Sequence, residues 1–267
     1  MICGERSSGC LQAPESPPDG QQTGGLQALG FAAALMGLLS AVTRIICRIA
    51  GDGALLSRLM LETAPPETSG LPASAYPGVG KMMADYLTGR TDVFQYMLTD
   101  AAGGSIACFQ PHEAAHMADC RGLISLAGTV ALVSLILCTL CFGAGMLCCR
   151  ERGRLRTDRR TALARGVRRG IWTAGGIASA LLLWAALNFD GFFVTFHQVA
   201  FTNDGWLLNP RTDLLIRLMP ERLFVLLGLQ GLLRFAPVSL AMTAWAEWRL
   251  RAEHSERRTN PSERRRQ

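Results

Sequence analysis

The stretch Leu123–Cys149, LISLAGTVALVSLILCTLCFGAGMLCC, runs for 27 residues without a charged side chain. A helix needs ~20 mainly apolar residues to cross the hydrocarbon core of a bilayer. An uncharged run of that length therefore reads as a membrane span. Gly170–Phe189 is a second such run, of 20 residues. Two more spans are read at about 26–50 and 223–246. The expected fold is all-α: a polytopic membrane protein with four transmembrane helices and helical extracytoplasmic segments. A composition of 49% hydrophobic and 18% charged residues excludes a disordered chain, and a length of 267 residues excludes a small disulfide scaffold.

Charge orders the spans. The formal net charge is +6, but it is unevenly spread. Arg150–Arg169 holds nine Arg against Glu151 and Asp158, and Glu247–Gln267 holds seven Arg against four Glu. Gly51–Arg121 runs the other way, with eight acids against four bases. Arg clusters that abut apolar spans, without interleaved aromatics, point to retention in the cytoplasm and not to nucleic acid. With the Arg150–Arg169 loop and the basic tail 247–267 inside, parity makes both termini cytoplasmic. Segments 51–122 and 190–222 then face outward. The tail 1–25, rich in Pro, Gly and Ser, is expected to be a disordered cytoplasmic segment. The first span has no basic region just upstream and no small-residue cleavage site before a polar start, so it reads as a retained anchor.

The nine cysteines do not form a framework. Cys138 and Cys141 sit one helical turn apart within the second span, where packing is the simpler reading. Cys108 and Cys120 fall on the outer side, where a bond between them could form. In the first outer segment, Pro65, Pro66, Pro72 and Pro77 mark a loop. The apolar positions of Lys81–Asp100 then suit an amphipathic surface helix interrupted near Gly89. Pro111 is well placed to start a helix running into the second span.

Of the four histidines, His254 lies in the charged tail, while His112, His116 and His197 lie in outer segments beside spans. An imidazole with an ordinary pKa near 6.5 suits proton transfer at neutral pH. On a helix His112, His116 and Asp119 share one face, with Glu113 at its edge. The string His112-Glu113-x-x-His116 also matches a zinc-hydrolase pattern. Asp119, His197 or Asp190 could supply a third ligand, none at a diagnostic spacing. The second cluster, Phe189 to Trp206, crowds five Phe and one Trp around His197. An interfacial aromatic belt explains many of these rings but not the histidine among them.

Glu113-x-x-His116-Met117-x-Asp119 leads into a span. It is followed far downstream by Phe196-His197-x-x-x-Phe201-x-Asn203-Asp204-x-Trp206, then by Asp213-x-x-Ile216 and Pro220-x-x-x-Phe224. Together these resemble a bacterial four-span membrane family that includes the lipoprotein intramolecular transacylase. The resemblance runs from about Tyr76 to Phe224, with weaker support from Met83-x-x-Tyr86-Leu87-x-Gly89. It departs at Cys120, where the family usually has an aliphatic residue, and in the long polar N-terminal tail.

The resemblance implies an acyltransferase of the cytoplasmic membrane. It would move the sn-2 acyl chain of a diacylglyceryl-cysteine lipoprotein onto that cysteine's own α-amino group, leaving a lyso-lipoprotein. Its partners would be diacylglyceryl-modified lipoproteins and membrane lipid, with no metal and no cofactor. By motif position His116 and His197 are the catalytic pair. His116 is expected as the base, oriented by Glu113 or Asp119, and His197 as the group facing the ester oxygen, although the two roles are interchangeable at this level. Phe192, Phe193, Phe196 and Phe201, with Trp206, would shape an acyl groove. Asn203 would hydrogen-bond backbone or glycerol, and Asp213 would cap or pin its loop. Arg234, midway along the fourth span near Pro237, needs a cavity or a route to the interface. Arg44 and Arg48 read as interfacial anchors. The competing readings are a membrane zinc hydrolase built on the His112 string and a non-enzymatic membrane scaffold.

Overall fold

The computed structural model describes residues 19–99, 103–149 and 154–259. The expected disorder of the tail concerns mainly residues 1–18, which lie outside the described residues. Four helices are long and apolar enough to cross a membrane, and each contains most of one expected span. They are α1 (Asp19–Ala50), α5 (Pro111–Cys148), α6 (Arg154–Leu187) and α9 (Glu221–Thr259). Large apolar side chains along them, among them Leu132, Leu140, Leu183 and Leu240, point outward. In lipid that orientation is the favourable one, since the solvent is itself hydrocarbon.

Helix α1 is the hub, touching α5, α6 and α9. Its contact with α6 is close because glycines leave room: a Cβ on Gly30 would lie 2.2 Å from the Leu163 carbonyl oxygen, and one on Gly166 would lie 2.0 Å from that of Gln27. Small residues at helix crossings let backbones approach where no hydrophobic effect drives association. Polar side chains add directed bonds. Ser40 Oγ donates to the Ala131 carbonyl at 2.7 Å, joining α1 to α5. The basic stretch expected as a loop is helical from Arg154 onward. Ala162, Leu163, Ala164 and Val167 are buried, while Arg165, Arg168 and Arg169 are exposed.

Between the spans lies a packed cap. It contains α2 (Gly53–Thr63), α3 (Pro66–Ser69), a 3-10 turn (Ala73–Ala75) and α4 (Tyr76–Leu87). A two-stranded ribbon follows, β1 (Met97–Thr99) and β2 (Ser105–Ala107), antiparallel with Leu98 opposite Ile106. After α6 come α7 (Phe189–Ala200) and α8 (Leu214–Leu218). Leu56, Met60, Tyr76, Val79, Met83, Phe109, Met117, Leu215, Leu218 and Leu223 form a common core, so both inter-span segments fold onto the ends of α5 and α9.

The surface helix expected over 81–100 is therefore only half present. It stops at Leu87, and Gly89 at φ 74° turns the chain. The second half becomes the ribbon, and its aromatics close on α4: Phe94 packs against Tyr86 and Phe109 at centroid separations of 5.2 and 4.8 Å. Gln95 bonds both Phe109 backbone groups through its amide, a local substitute for a longer ladder. Met83 and Tyr86 are buried in protein and do not lie on lipid. Arg234 finds a partner at the cap, its Nη2 lying 3.6 Å from Asp52 Oδ2. Asp52 also accepts the Leu55 amide as the N-cap of α2.

Candidate active site

Helix α5 begins with Gln110 at its N-cap, Pro111 in the first turn and Glu113 closing a capping box. That arrangement satisfies amide groups a helix start leaves unpaired. Glu113 Oε2 accepts the Gln110 amide at 2.6 Å and Oε1 accepts the Leu215 amide at 2.6 Å, the carboxylate being wholly buried. Both oxygens are thus committed to backbone, and Glu113 positions α5 against α8 without bonding His116. One turn on, His116 is buried with 8% exposure, and its Nδ1 has no hydrogen-bond partner. Cys120, a further turn along, places Sγ 3.5 Å from His116 Nε2.

Helix α7 is capped by Asn188, whose Oδ1 accepts the Gly191 amide at 2.9 Å. It carries His197 in its third turn, also 8% exposed. His197 Nδ1 lies 2.8 Å from the Phe193 carbonyl oxygen. A carbonyl only accepts, so Nδ1 carries the hydrogen and the lone pair of Nε2 is left free. Phe193, Phe196, Phe201 and Trp206 surround the ring at centroid separations of 4.0, 5.3, 5.5 and 5.0 Å.

The two imidazoles, 81 positions apart in sequence, stand with ring centroids 6.0 Å apart. They share the wall of a cavity of about 400 Å3. Its other walls are mostly apolar, including Ile46, Leu123, Ile124, Phe193, Phe196 and Phe224. Arg121 is the last charged residue before the uncharged run of α5, so His116 and Cys120 belong to its extension beyond the hydrocarbon. Burial pushes the His116 pKa below the ordinary histidine value; proximity to His197 adds to this and Asp119 opposes it. Burial likewise lowers that of His197, against the Phe193 hydrogen bond. The Cys120 thiol is pushed up to about 12, chiefly by burial and then by Asp119, so it stays protonated.

The remaining expected residues are distributed around this pair. Asp119 Oδ2 accepts from Asn203 Nδ2 at 3.0 Å, tying α5 to the loop after α7, while Asn203 Oδ1 accepts the Gly205 amide. Asp213 accepts from the Asn209 amide, the Thr212 hydroxyl and His112 Nε2, at 2.8, 2.7 and 2.9 Å. Burial would raise the Asp213 pKa, but the bonds from Thr212, His112 and Asn209 outweigh it and hold the carboxyl below its usual range. Phe192 does not line the cavity; it meets Trp184 edge-on at 5.5 Å.

His112 is turned toward Asp213, and among the described residues no three His, Cys, Asp or Glu side chains are arranged to hold a metal. Cys108 and Cys120 are free thiols. Ile46 and Leu87 carried no sequence signal as cavity residues, because they reach it from the end of α1 and of α4. Cys120 did carry one, its spacing of four from His116.

A comparison with curated proteins finds no significant match. Among solved structures, the membrane-integral lipoprotein intramolecular transacylase Lit from Bacillus cereus superposes with a TM-score of 0.61 at 15% identity, covering 89% of this chain and 100% of that one. Two variants of the same enzyme, with one histidine replaced by arginine or by alanine, each give 0.58 at 15% identity. They cover 89% and 88% of this chain, and 96% and 97% of their own. The likeness is one of fold. A family model described as lipoprotein intramolecular transacylase Lit matches residues 32–224, more than half of the chain and inclusive of both histidines. On that match, the chain belongs to the Lit family of lipoprotein intramolecular transacylases.

Proposed function

We propose that this protein transfers the sn-2 acyl chain of a diacylglyceryl-cysteine lipoprotein to that cysteine's own α-amino group, with His116 and His197 as the reacting pair. The observation that carries the reading is the approach of two buried imidazoles across an apolar cavity. Family membership supplies the reaction class.

Donor ester and acceptor amine belong to one molecule, so no carrier is needed to bring them together. Holding them in a near-attack arrangement lowers the barrier by as much as about 7–11 kcal/mol. The amine, with an ordinary pKa of about 7.7–8, must lose a proton before it attacks. His197 Nε2 suits that task, since the Phe193 carbonyl engages Nδ1–H and aims the opposite lone pair away from it. The amine nitrogen adds to the ester carbonyl, giving a tetrahedral oxyanion. His116, whose Nε2 faces only a thiol, is free to donate to that oxygen and then to the departing glycerol oxygen. Collapse breaks the carbonyl–glycerol bond and leaves an amide. Nitrogen gives up two protons on the way from ammonium to amide: one replaces, by way of His197, the proton that His116 gives to the sn-2 oxygen, and the other passes to the medium. Phe193, Phe196 and Phe201 accept the acyl chain, and Asp119 with Asn203 hold the loop that carries Trp206 over His197.

The arginine-rich stretches 150–169 and 247–267 support a topology with both termini in the cytoplasm and the cavity at the extracytoplasmic face of a bacterial cytoplasmic membrane. There the diacylglyceryl group of a lipoprotein lies in the adjoining leaflet. The test is expression of the full chain in a bacterium whose lipoproteins are diacylglyceryl-modified, followed by mass spectrometry of their N-terminal peptides. N-acylated, S-monoacylglyceryl peptides are expected. Unchanged peptides at normal expression would overturn the proposal.

A further inference from the structure

A second cavity, of about 150 Å3, opens at the other end of the bundle, walled by Met146, Arg160, Leu163, Trp245, Trp248 and Arg249. Met146 lies 30 residues along α5 from His116, about 45 Å at 1.5 Å per residue, so this cavity is unrelated to the histidine site. Three helices meet there, and two arginines face the space. Arg160 Nε is buried and has no hydrogen-bond partner. The Arg249 guanidinium carbon lies 5.4 Å from the centroid of the Trp248 ring. Among the described side chains neither forms an ion pair with a carboxylate, whereas Arg168 lies 3.7 Å from Glu247. Asp158 and Glu247 each stand two positions from one of the pair, and residues two apart on a helix do not share a face.

A buried guanidinium nitrogen without an acceptor costs free energy that an anion would recover. Arg presents a planar fork that matches phosphate oxygens. The flanking Trp245 and Trp248 are the side chains that settle at the boundary between hydrocarbon and headgroups. Next to that boundary, the anion at highest local concentration is a phospholipid phosphate. We propose that Arg160 and Arg249 form a binding site for the phosphodiester of an anionic phospholipid, whose acyl chains run along the exposed apolar surface of α9. The cavity accommodates a phosphate, while the tryptophans cover the glycerol region. The site stands apart from the acyl-transfer proposal and needs none of its residues.

The test is native mass spectrometry of the purified full-length protein in neutral detergent, titrated with phosphatidylglycerol or with phosphatidylcholine. The wild type is expected to retain phosphatidylglycerol in preference to phosphatidylcholine. The variant Arg160→Gln/Arg249→Gln should lose affinity for phosphatidylglycerol by roughly tenfold or more, in line with the attraction of basic residues to anionic lipid. Arg160→Lys/Arg249→Lys should keep much of it. If the double glutamine variant aggregates, Arg249→Gln alone carries the same comparison. Equal retention of the two lipids, or unchanged retention by the glutamine variants, would overturn the proposal. Displacement of phosphatidylglycerol by an equal concentration of inorganic phosphate would overturn the lipid assignment.

Discussion

Glu113 Oε1 accepts the backbone amide of Leu215 at 2.6 Å, across 102 positions of sequence, while its other oxygen caps α5 at Gln110. One buried carboxylate thereby joins the helix that carries His116 to the segment that closes the cavity below it. Glu113→Ala would strand two amides and leave a void. A loss of about 2–4 kcal/mol in stability is expected, read by thermal unfolding in detergent. Glu113→Gln keeps the volume and an acceptor oxygen, so it should lose less.

The pH profile follows from burial of the two imidazoles. Both pKa values lie below the ordinary value, so the neutral forms persist to lower pH. In kcat/KM two limbs are expected as pH falls: one from the substrate amine near 7.7–8, and a second, from the enzyme, below about 6.5. An enzyme limb at or above 6.5 would contradict the burial argument. Stability follows the same sign. Below 6.5 the unfolded chain binds more protons than the folded one, so the fold weakens as pH drops toward the folded-state pKa.

Asp119 and Asn203 separate by the chemistry of their bond. Asp119→Asn retains an acceptor oxygen for Asn203 Nδ2, so activity is expected to fall only a few-fold, the size of a weakened hydrogen bond. Asn203→Ala loses that bond and the one to the Gly205 amide, loosening the loop under Trp206. A fall of about tenfold or more in kcat/KM is expected, measured with a synthetic diacylglyceryl lipopeptide.

His112 distinguishes acyl transfer from the zinc-hydrolase reading of the same string. Its Nε2 pairs with Asp213, and its side chain is 56% exposed. His112→Ala is expected to keep transacylation within a few-fold and to cost about 1–3 kcal/mol in stability, because the buried Asp213 carboxylate loses one of its partners. A hydrolase that used His112 as a metal ligand would lose its activity.

What the sequence could and could not carry divides by distance. The spans are legible because lipid demands ~20 apolar residues in a row, a local property. The helix start at Pro111 is legible for the same reason, since a capping box lies within four residues. The partner of Glu113 is not local, and spacing alone put that carboxylate beside His116. Phe192 and Phe193 are neighbours in a run of aromatics, yet helix geometry sends one to Trp184 and the other onto His197. The half-helix at 81–100 was obscured because apolar residues of a short ribbon mimic a helical stripe until Gly89 turns the chain. Arg234 looked stranded in a span because Asp52, its partner, sits at the junction of two other helices.

The central claim is that His116 and His197 act together on a single lipid-modified peptide. Its most direct test is the rate of N-acyl product formation from a purified diacylglyceryl lipopeptide by the wild type, His116→Ala and His197→Ala, each checked for its fold. The account predicts N-acylation by the wild type and a loss of at least about 100-fold in either variant. A folded variant of either histidine that keeps near wild-type rates would contradict it.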